Sequence, residues 1–266
     1  MTLMPLINKP ELWTKADSLS QERGEFVKTL VEKFIKCENL SVLDIGCGAG
    51  GTSAVFATLN FVVSMDRTQH ELIESKKNAK RIFVMSDALS LPFKPASFDL
   101  IILQDVIEHL EITSEFIPCL SCLLKKSGII FLSTPNKLSV FNLISDPHWG
   151  FPFVSVMSRN ILRKYILPVV RSEDSNRKDI ARLFSLTKIY DLFYKEFEMR
   201  ILTTLVVKEL FTNPKGILWS KFHIFLLQSC KKLRIDSLVK KSANDDAGIL
   251  NKYFTPTLYF ILTKRS

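Results

Sequence analysis

Residues 42–53 read VLDIGCGAGGTS. Gly46, Gly48 and Gly51 fit Gly-x-Gly-x-x-Gly, the spacing of a strand-to-helix turn that lets backbone approach a ligand closely. On its own that spacing is a weak signal, and it usually means a pyrophosphate. Asp44, two residues ahead of the first glycine, changes its meaning. A carboxylate beside a pyrophosphate is repelled, whereas beside an ammonium or a sulfonium it is attracted. The stretch therefore predicts an open α/β sheet whose ligand brings positive charge, and no phosphate, to the first turn.

Outward from this turn, strand and helix patterns alternate. Apolar residues recur at helical spacing over 20–36. Strands are expected at 40–45, 60–65, 81–85, 98–103 and 128–133, and helices at 52–59, 70–79 and 112–124. Five alternations in this span predict a doubly wound, mostly parallel sheet covered on both faces. Such sheets bind ligands at the carboxyl ends of their strands. Asp44 with its glycines, Asp66, Asp87 and Gln104-Asp105 all fall at strand ends, so four strands converge on one site. The back half is less regular: a helix at 185–194, a strand at 197–207 and a final strand at 256–263 (PTLYFILT), with insertions at 137–184 and 208–252. We read residues 1–266 as one domain. Its cofactor-binding core is 1–136, the two insertions form a helical cap on the substrate side, and 253–266 carries the final strand.

Composition sets bounds. Hydrophobic residues make up 47% of 266, enough for a sizeable core, and no window is long and apolar enough for a spanning helix. There is no signal-peptide pattern at the start, and five cysteines form no framework, so a cytoplasmic location is expected. Cys119 and Cys122 form a lone C-x-x-C inside an apolar helical run and are read as core. The net charge of +9 is uneven. Residues 1–150 hold 15 Lys and Arg against 17 Asp and Glu (−2), and residues 151–266 hold 21 against 10 (+11). A basic back half suits a solvated face, an anionic substrate or an anionic membrane surface. In 216–236, apolar residues from Ile217 to Leu227 are flanked by lysines, which fits either a lid or a helix lying in a membrane interface.

VLDIGCGAGG, the strand end at Asp66, SDALSLPF and FDLIILQDVIEHL together resemble the motifs of the class I S-adenosylmethionine-dependent methyltransferases, over about residues 40–136. The resemblance is nearest to the ubiquinone and menaquinone type. It implies a Rossmann-like seven-stranded sheet with an antiparallel last strand, and S-adenosyl-L-methionine as cofactor. Carried over, Asp44, Gly46 and Gly48 surround the methionine part, Asp66 holds the ribose and Asp87 with Ala88 meets the adenine, and Cys47, Arg67 and Gln104 are counted with them as cofactor-binding.

The acceptor side is less determined. Base-amino methyltransferases carry an Asn/Asp-Pro-Pro-aromatic motif after the fourth strand, and Gln104-Asp105-Val106-Ile107 stands there instead. Asp105-x-x-Glu108-His109 resembles the Glu-x-x-Glu-His segment of ubiquinone-biosynthesis O-methyltransferases and of RNA 2′-O-methyltransferases, parts of which bind a divalent metal. We expect no metal here, and name Asp105, Glu108, His109 and His148 as the ligands if one binds. His109 is the candidate general base, and His148 and Trp149 are candidate substrate contacts. The expected function is O-methylation of a small or lipid-linked acceptor. An RNA 2′-O-methyltransferase, an NAD-dependent oxidoreductase and a catalytically inactive cofactor-binding protein are the alternatives. Nucleic acid is not an expected partner, no obligate protein partner is evident, and peripheral membrane contact stays open.

Overall fold

The computed structural model describes residues 16–68, 81–170, 180–218 and 221–265. The helix expected over 70–79 lies outside them. Seven strands form one sheet in the order β3-β2-β1-β4-β5-β7-β6: β1 (Ser41–Ile45), β2 (Phe61–Asp66), β3 (Arg81–Met85), β4 (Phe98–Gln104), β5 (Leu124–Pro135), β6 (Phe197–Ile201) and β7 (Thr257–Lys264). The first five run parallel. β7 is antiparallel to both β5 and β6, and it lies between them. Strand order reverses between β1 and β4, so a crevice opens outside their carboxyl ends.

The central strands are apolar on both sides because both faces are covered. Leu43 and Ile45 of β1 enter one core cluster with Ile101, Leu103, Ile130 and Leu132. Val42 enters the other with Leu100, Ile102, Phe131 and the buried face of helix α1 (Ala16–Val31), where Phe26, Val27, Leu30 and Val31 recur at helical spacing. Removing a side chain as buried as Leu43 would cost about 2–5 kcal/mol. Asp44 alternates onto the face of Val42, and there α2 (Gly51–Phe56) follows the glycine turn.

Two expected elements are corrected. The strand expected over 197–207 ends at Ile201, and Thr203–Thr212 is a helix. Leu202 donates the last bond to the sheet, from its N–H to Tyr259 O at 2.9 Å. Leu202, Leu205 and Val206 then pack one core at helical spacing, and that overrides the β-branched composition. The helix expected over 112–124 shortens to α3 (Phe116–Leu123). Cys119 is half-buried on it and Cys122 is exposed, so only one of the pair reaches the core.

Residues 137–170 leave β5 as a separate small body. It contains α4 (Val140–Ile144), a 3-10 turn (Val154–Val156) and α5, residues 159–170, whose middle is a π-helical turn (Leu162–Ile166). Its own core is Trp149, Val154, Leu162, Leu167 and Ile180. Ile217, at the start of the 216–236 stretch, packs with the cluster under α1. The side chains of Trp219 and Phe222 lie outside the described residues. Among those described, no helix is long and apolar enough to cross a membrane.

Candidate active site

The glycine turn is held by Met65 O, which accepts from Gly46 N at 2.7 Å and from Cys47 N at 3.0 Å. Gly46 has φ +68°, and a Cβ there would stand 2.6 Å from Val106 Cγ2 on the loop after β4. The first glycine is thus required twice, by conformation and by the neighbouring loop. Gly51 answers to a different constraint. A Cβ there would meet Ser20 Oγ at 2.3 Å and the Ser20 backbone at 2.4 Å. The third glycine of the motif serves the crossing of α1 over α2 rather than a phosphate.

That crossing brings α1 over a cavity of about 150 Å³, lined by Ser20, Arg23, Asp44, Gly46, Thr52 and Gln104 among others. A larger hollow of about 430 Å³ lies at the opposite edge, among residues 32–38 and Leu59. It sits at the amino ends of β1 and β2, where none of the expected site residues falls, so size does not decide between them. A cofactor-sized site spans roughly 300–1,000 Å³. The smaller cavity therefore accommodates one end of such a ligand, and the rest would run outward past Asp66.

Asp44 is buried at 2% exposure and lines the cavity, with Ser53 Oγ donating to its Oδ2 at 2.5 Å. Burial pushes its carboxyl up to about 7, against the lowering pull of the Ser53 bond. Near neutral pH the group is only partly ionised until a cation approaches, which refines the charge argument made from sequence. Arg23 of α1 is ion-paired with Asp105, whose other oxygen accepts from Ser133 Oγ at 2.7 Å. Asp105 holds φ +55°, a conformation Asp tolerates better than most residues. Gln104 Oε1 accepts from Thr52 Oγ1 at 2.7 Å and ties the end of β4 to α2 across the crevice.

At the end of β2, Asp66 Oδ2 accepts from Gly48 N at 3.1 Å, and its Oδ1 accepts from Thr68 N at 2.9 Å and Thr68 Oγ1 at 3.0 Å. The carboxylate thus buttresses the glycine turn and keeps lone pairs for a ligand. Arg67 is exposed beside it. Asp87 is exposed after β3 and caps its own turn, accepting from Leu89 N at 2.9 Å, while Ala88 packs half-buried on the core. Arg81, which sequence reasoning passed over, donates from Nη1 to Gly50 O at 3.1 Å and braces the turn from β3. Ser20 and Arg23 were missed because neither stands near a strand end, and Thr52, although within 42–53, was read only as the start of the helix after the glycines.

On the acceptor side, Ile107–His109 form a 3-10 turn. Glu108 is fully buried. Its Oε2 accepts from Thr134 Oγ1 at 3.0 Å, and its Oε1 has no hydrogen-bond partner. Burial and the nearby Asp105 raise its carboxyl above the ordinary range. The Glu108 carbonyl accepts from Arg182 N at 2.7 Å and from Arg159 Nη2 at 3.1 Å, so the 137–184 segment is clamped to this turn. His109 and His148 meet edge to face, 5.2 Å between ring centroids. Asp146 Oδ1 positions the second of them by accepting from His148 N and Trp149 N, each at 2.9 Å. Glu108, His109 and His148 each offer one ligand atom, and these atoms all lie within 4.8 Å of one another. Asp105, the fourth ligand named from sequence, is engaged with Arg23 and Ser133 instead. Trp149, the other candidate substrate contact, is buried and belongs to the core of the 137–170 body.

Residues 43–132 match the family model described as a methyltransferase domain. The mitochondrial ubiquinone biosynthesis O-methyltransferase of Saccharomyces cerevisiae is 31% identical over 130 residues, covering 46% of this chain and 41% of the relative. The ubiquinone biosynthesis O-methyltransferase of Bartonella quintana is 35% identical over 106 residues, covering 38% and 43%. The chain thus spans about two fifths of the length of these curated relatives. Among solved structures, an S-adenosylmethionine dependent methyltransferase from Mesorhizobium loti superposes with a TM-score of 0.57 at 10% identity, covering 92% of this chain and 98% of the other. At that identity the likeness speaks for the fold.

Proposed function

We propose that this chain, whose residues 43–132 match a methyltransferase domain, is a class I S-adenosylmethionine-dependent methyltransferase that moves a methyl group from S-adenosyl-L-methionine to an oxygen of a small or lipid-linked acceptor. One observation carries the reading. The cavity at the strand-order reversal sets a buried carboxylate, Asp44, and a guanidinium, Arg23, in the same small lining. A carboxylate and a cation facing one cavity complement the ammonium and carboxylate of an amino acid, and they do not complement a pyrophosphate. Asp66 then stands where ribose hydroxyls would donate, and Asp87 with Ala88 further out where an adenine edge would lie.

When bound, the cofactor supplies an electrophilic methyl group on a sulfonium. The protein's part is to hold that methyl in line with the acceptor oxygen, and alignment alone removes much of the barrier. In the proposed step the O–CH3 bond forms as the S–CH3 bond breaks. The acceptor hydroxyl proton passes to an imidazole nitrogen of His109, which sits in the turn after β4 on the acceptor side. The likeness to two ubiquinone biosynthesis O-methyltransferases, over 130 and 106 residues, supports oxygen as the acceptor atom.

Calorimetry tests this directly. The wild-type chain is expected to bind S-adenosylhomocysteine and not NADH, and Asp66→Ala is expected to weaken binding at least tenfold. Binding of NADH in place of S-adenosylhomocysteine would overturn the reading.

A second reading of the acceptor side is favoured by the unpartnered Oε1 of Glu108 beside two imidazoles. One carboxylate and two histidines suit a divalent cation, which would act as a Lewis acid on the acceptor hydroxyl. His109 would then be a ligand and could not serve as base. Elemental analysis of the purified chain separates the two. A stoichiometric metal, lost in Glu108→Gln, establishes the metal site. A metal-free chain whose transfer survives a chelator, and is lost in His109→Ala, establishes the base.

A further inference from the structure

A guanidinium is costly to bury, and costlier beside others of its kind, because like charges in a poorly hydrated place repel. Three arginines nevertheless gather at the acceptor-side turn. Arg159 opens α5, where Ser158 Oγ caps the helix by accepting from Ile161 N at 3.3 Å. Its side chain is only 20% exposed. Nη2 donates to Glu108 O at 3.1 Å, and Nε is buried with no hydrogen-bond partner. Arg182 arrives from the far end of the insertion and donates its main-chain N–H to the same carbonyl at 2.7 Å. Its guanidinium makes no hydrogen bond or ion pair among the described residues. Arg163 follows Arg159 by four residues along α5, and both Arg163 and Arg182 stand close enough for their charge to bear on Arg159.

The acids nearby leave this charge unbalanced. Glu111 Oε1 pairs with Arg159 Nη1 at a long 3.4 Å, and its side chain is 88% exposed. Asp105 is committed to Arg23 and Ser133. Asp146 is buried and accepts from the main-chain N–H groups of His148 and Trp149. Burial, first of all, disfavours the charge on Arg159; Glu111 supports it, and Arg182 and Arg163 weaken it further. Arg159 is thus a sheltered cation with most of its donor fork unused, beside a second guanidinium that is wholly uncommitted. An anion held between them would relieve the repulsion and take up the donors. A carboxylate carries one charge on two oxygens, and one fork satisfies it. A terminal phosphate carries three oxygens and roughly 1.5–2 negative charges at pH 7, and two forks with a third cation nearby match it.

We propose that Arg159 and Arg182, supported by the charge of Arg163, form a subsite for a terminal phosphate group on the methyl acceptor. The inference deepens the methyltransferase reading, on which it rests for the meaning of the acceptor side, by naming the substrate class: a hydroxyl compound that also carries a phosphate monoester or the end of a diphosphate. The two arginines bond the carbonyl of Glu108, and the next residue is His109. The subsite therefore anchors one end of the acceptor beside the imidazole that meets its hydroxyl.

The test is calorimetry on the full chain, first with S-adenosylhomocysteine and then, with and without it, using phenyl phosphate, dimethyl phosphate and benzoate as probes. Phenyl phosphate is expected to bind about tenfold or more tightly than either of the other two. Arg182→Met removes a guanidinium and leaves the main-chain bond to Glu108 O in place, so the turn is kept. It is expected to weaken phenyl phosphate about tenfold with unchanged S-adenosylhomocysteine affinity. Arg163→Met, at an exposed position, is expected to give a smaller loss of the same kind. Lys33→Met with Lys126→Met, which removes two exposed charges elsewhere, is expected to change neither affinity. Wild type that binds S-adenosylhomocysteine but no phenyl phosphate overturns the proposal. So does phenyl phosphate binding that both arginine variants retain in full. Dimethyl phosphate bound as tightly as phenyl phosphate would point to a phosphodiester, a lipid head group among them, and benzoate bound as tightly would point to a carboxylate; either overturns the terminal-phosphate assignment. Phenyl phosphate binding without S-adenosylhomocysteine binding would leave the subsite standing and sink the methyltransferase reading instead.

Discussion

Asp44 works as a carboxylate whose charge depends on its company. Its folded value of about 7 lies above the ordinary 3.8, so the folded chain holds a proton there that the unfolded chain has released. Stability from this group is therefore greatest below about pH 4 and declines as pH rises towards 7. Binding a ligand ammonium reverses the preference, because the cation stabilises the ionised form. The affinity for S-adenosylhomocysteine is expected to climb through about pH 7, by roughly tenfold between pH 5.5 and pH 8, and to lose that dependence in Asp44→Asn. Calorimetry across this range reads it, and a flat wild-type profile would remove Asp44 from the ammonium site. At this scale the sequence was informative wherever a polar side chain stands at the carboxyl end of a strand, as Asp44, Asp66 and Gln104 do. It was silent on Arg23, which reaches the same cavity from 82 residues before its partner Asp105. Nothing local to QERGEF marks Arg23 as facing a ligand. Only the packing of α1 does that.

The crossing of α1 over α2 is the element on which the cavity depends. Ser20 and Arg23 line the cavity from α1 while Gly51 and Thr52 line it from α2, and the helices touch without room for one added carbon. Gly51→Ala should push α1 away, part Arg23 from Asp105 and open the cavity. We expect at least a tenfold loss of S-adenosylhomocysteine affinity and a melting temperature lower by several degrees, in line with an overpacking cost of about 1–3 kcal/mol. An affinity equal to wild type would mean that α1 is not part of the cofactor site. Elements were legible in proportion to how far their environment repeats. β1, β2 and β4 read as apolar runs because they are buried on both faces. The run TTLVV at 203–207 misled because its β-branched residues suggest a strand, while the deciding contacts of Leu202, Leu205 and Val206 with a core built mainly from residues 26–131 are not visible locally.

For the whole molecule, alternation of strand and helix gives the parallel sheet, and the order reversal at β1 and β4 explains why acids from separate strands converge. What alternation does not give is the outside. Ile144, Ile161 and Val169 read no differently from core residues until the fold shows them facing outward. One feature of the sheet reaches beyond the finished structure. β7 comes after the other six strands in the chain, yet it is an interior strand, with β5 on one side and β6 on the other. During synthesis the strand that joins them emerges only after both neighbours, so β5 waits with a bare hydrogen-bonding edge and β6 with no sheet to enter. The nascent chain thus carries an open β edge for as long as the ribosome takes to translate 136–264, and chaperones have that interval in which to shield it. A message truncated ahead of codon 257 would release a product that never covers the edge.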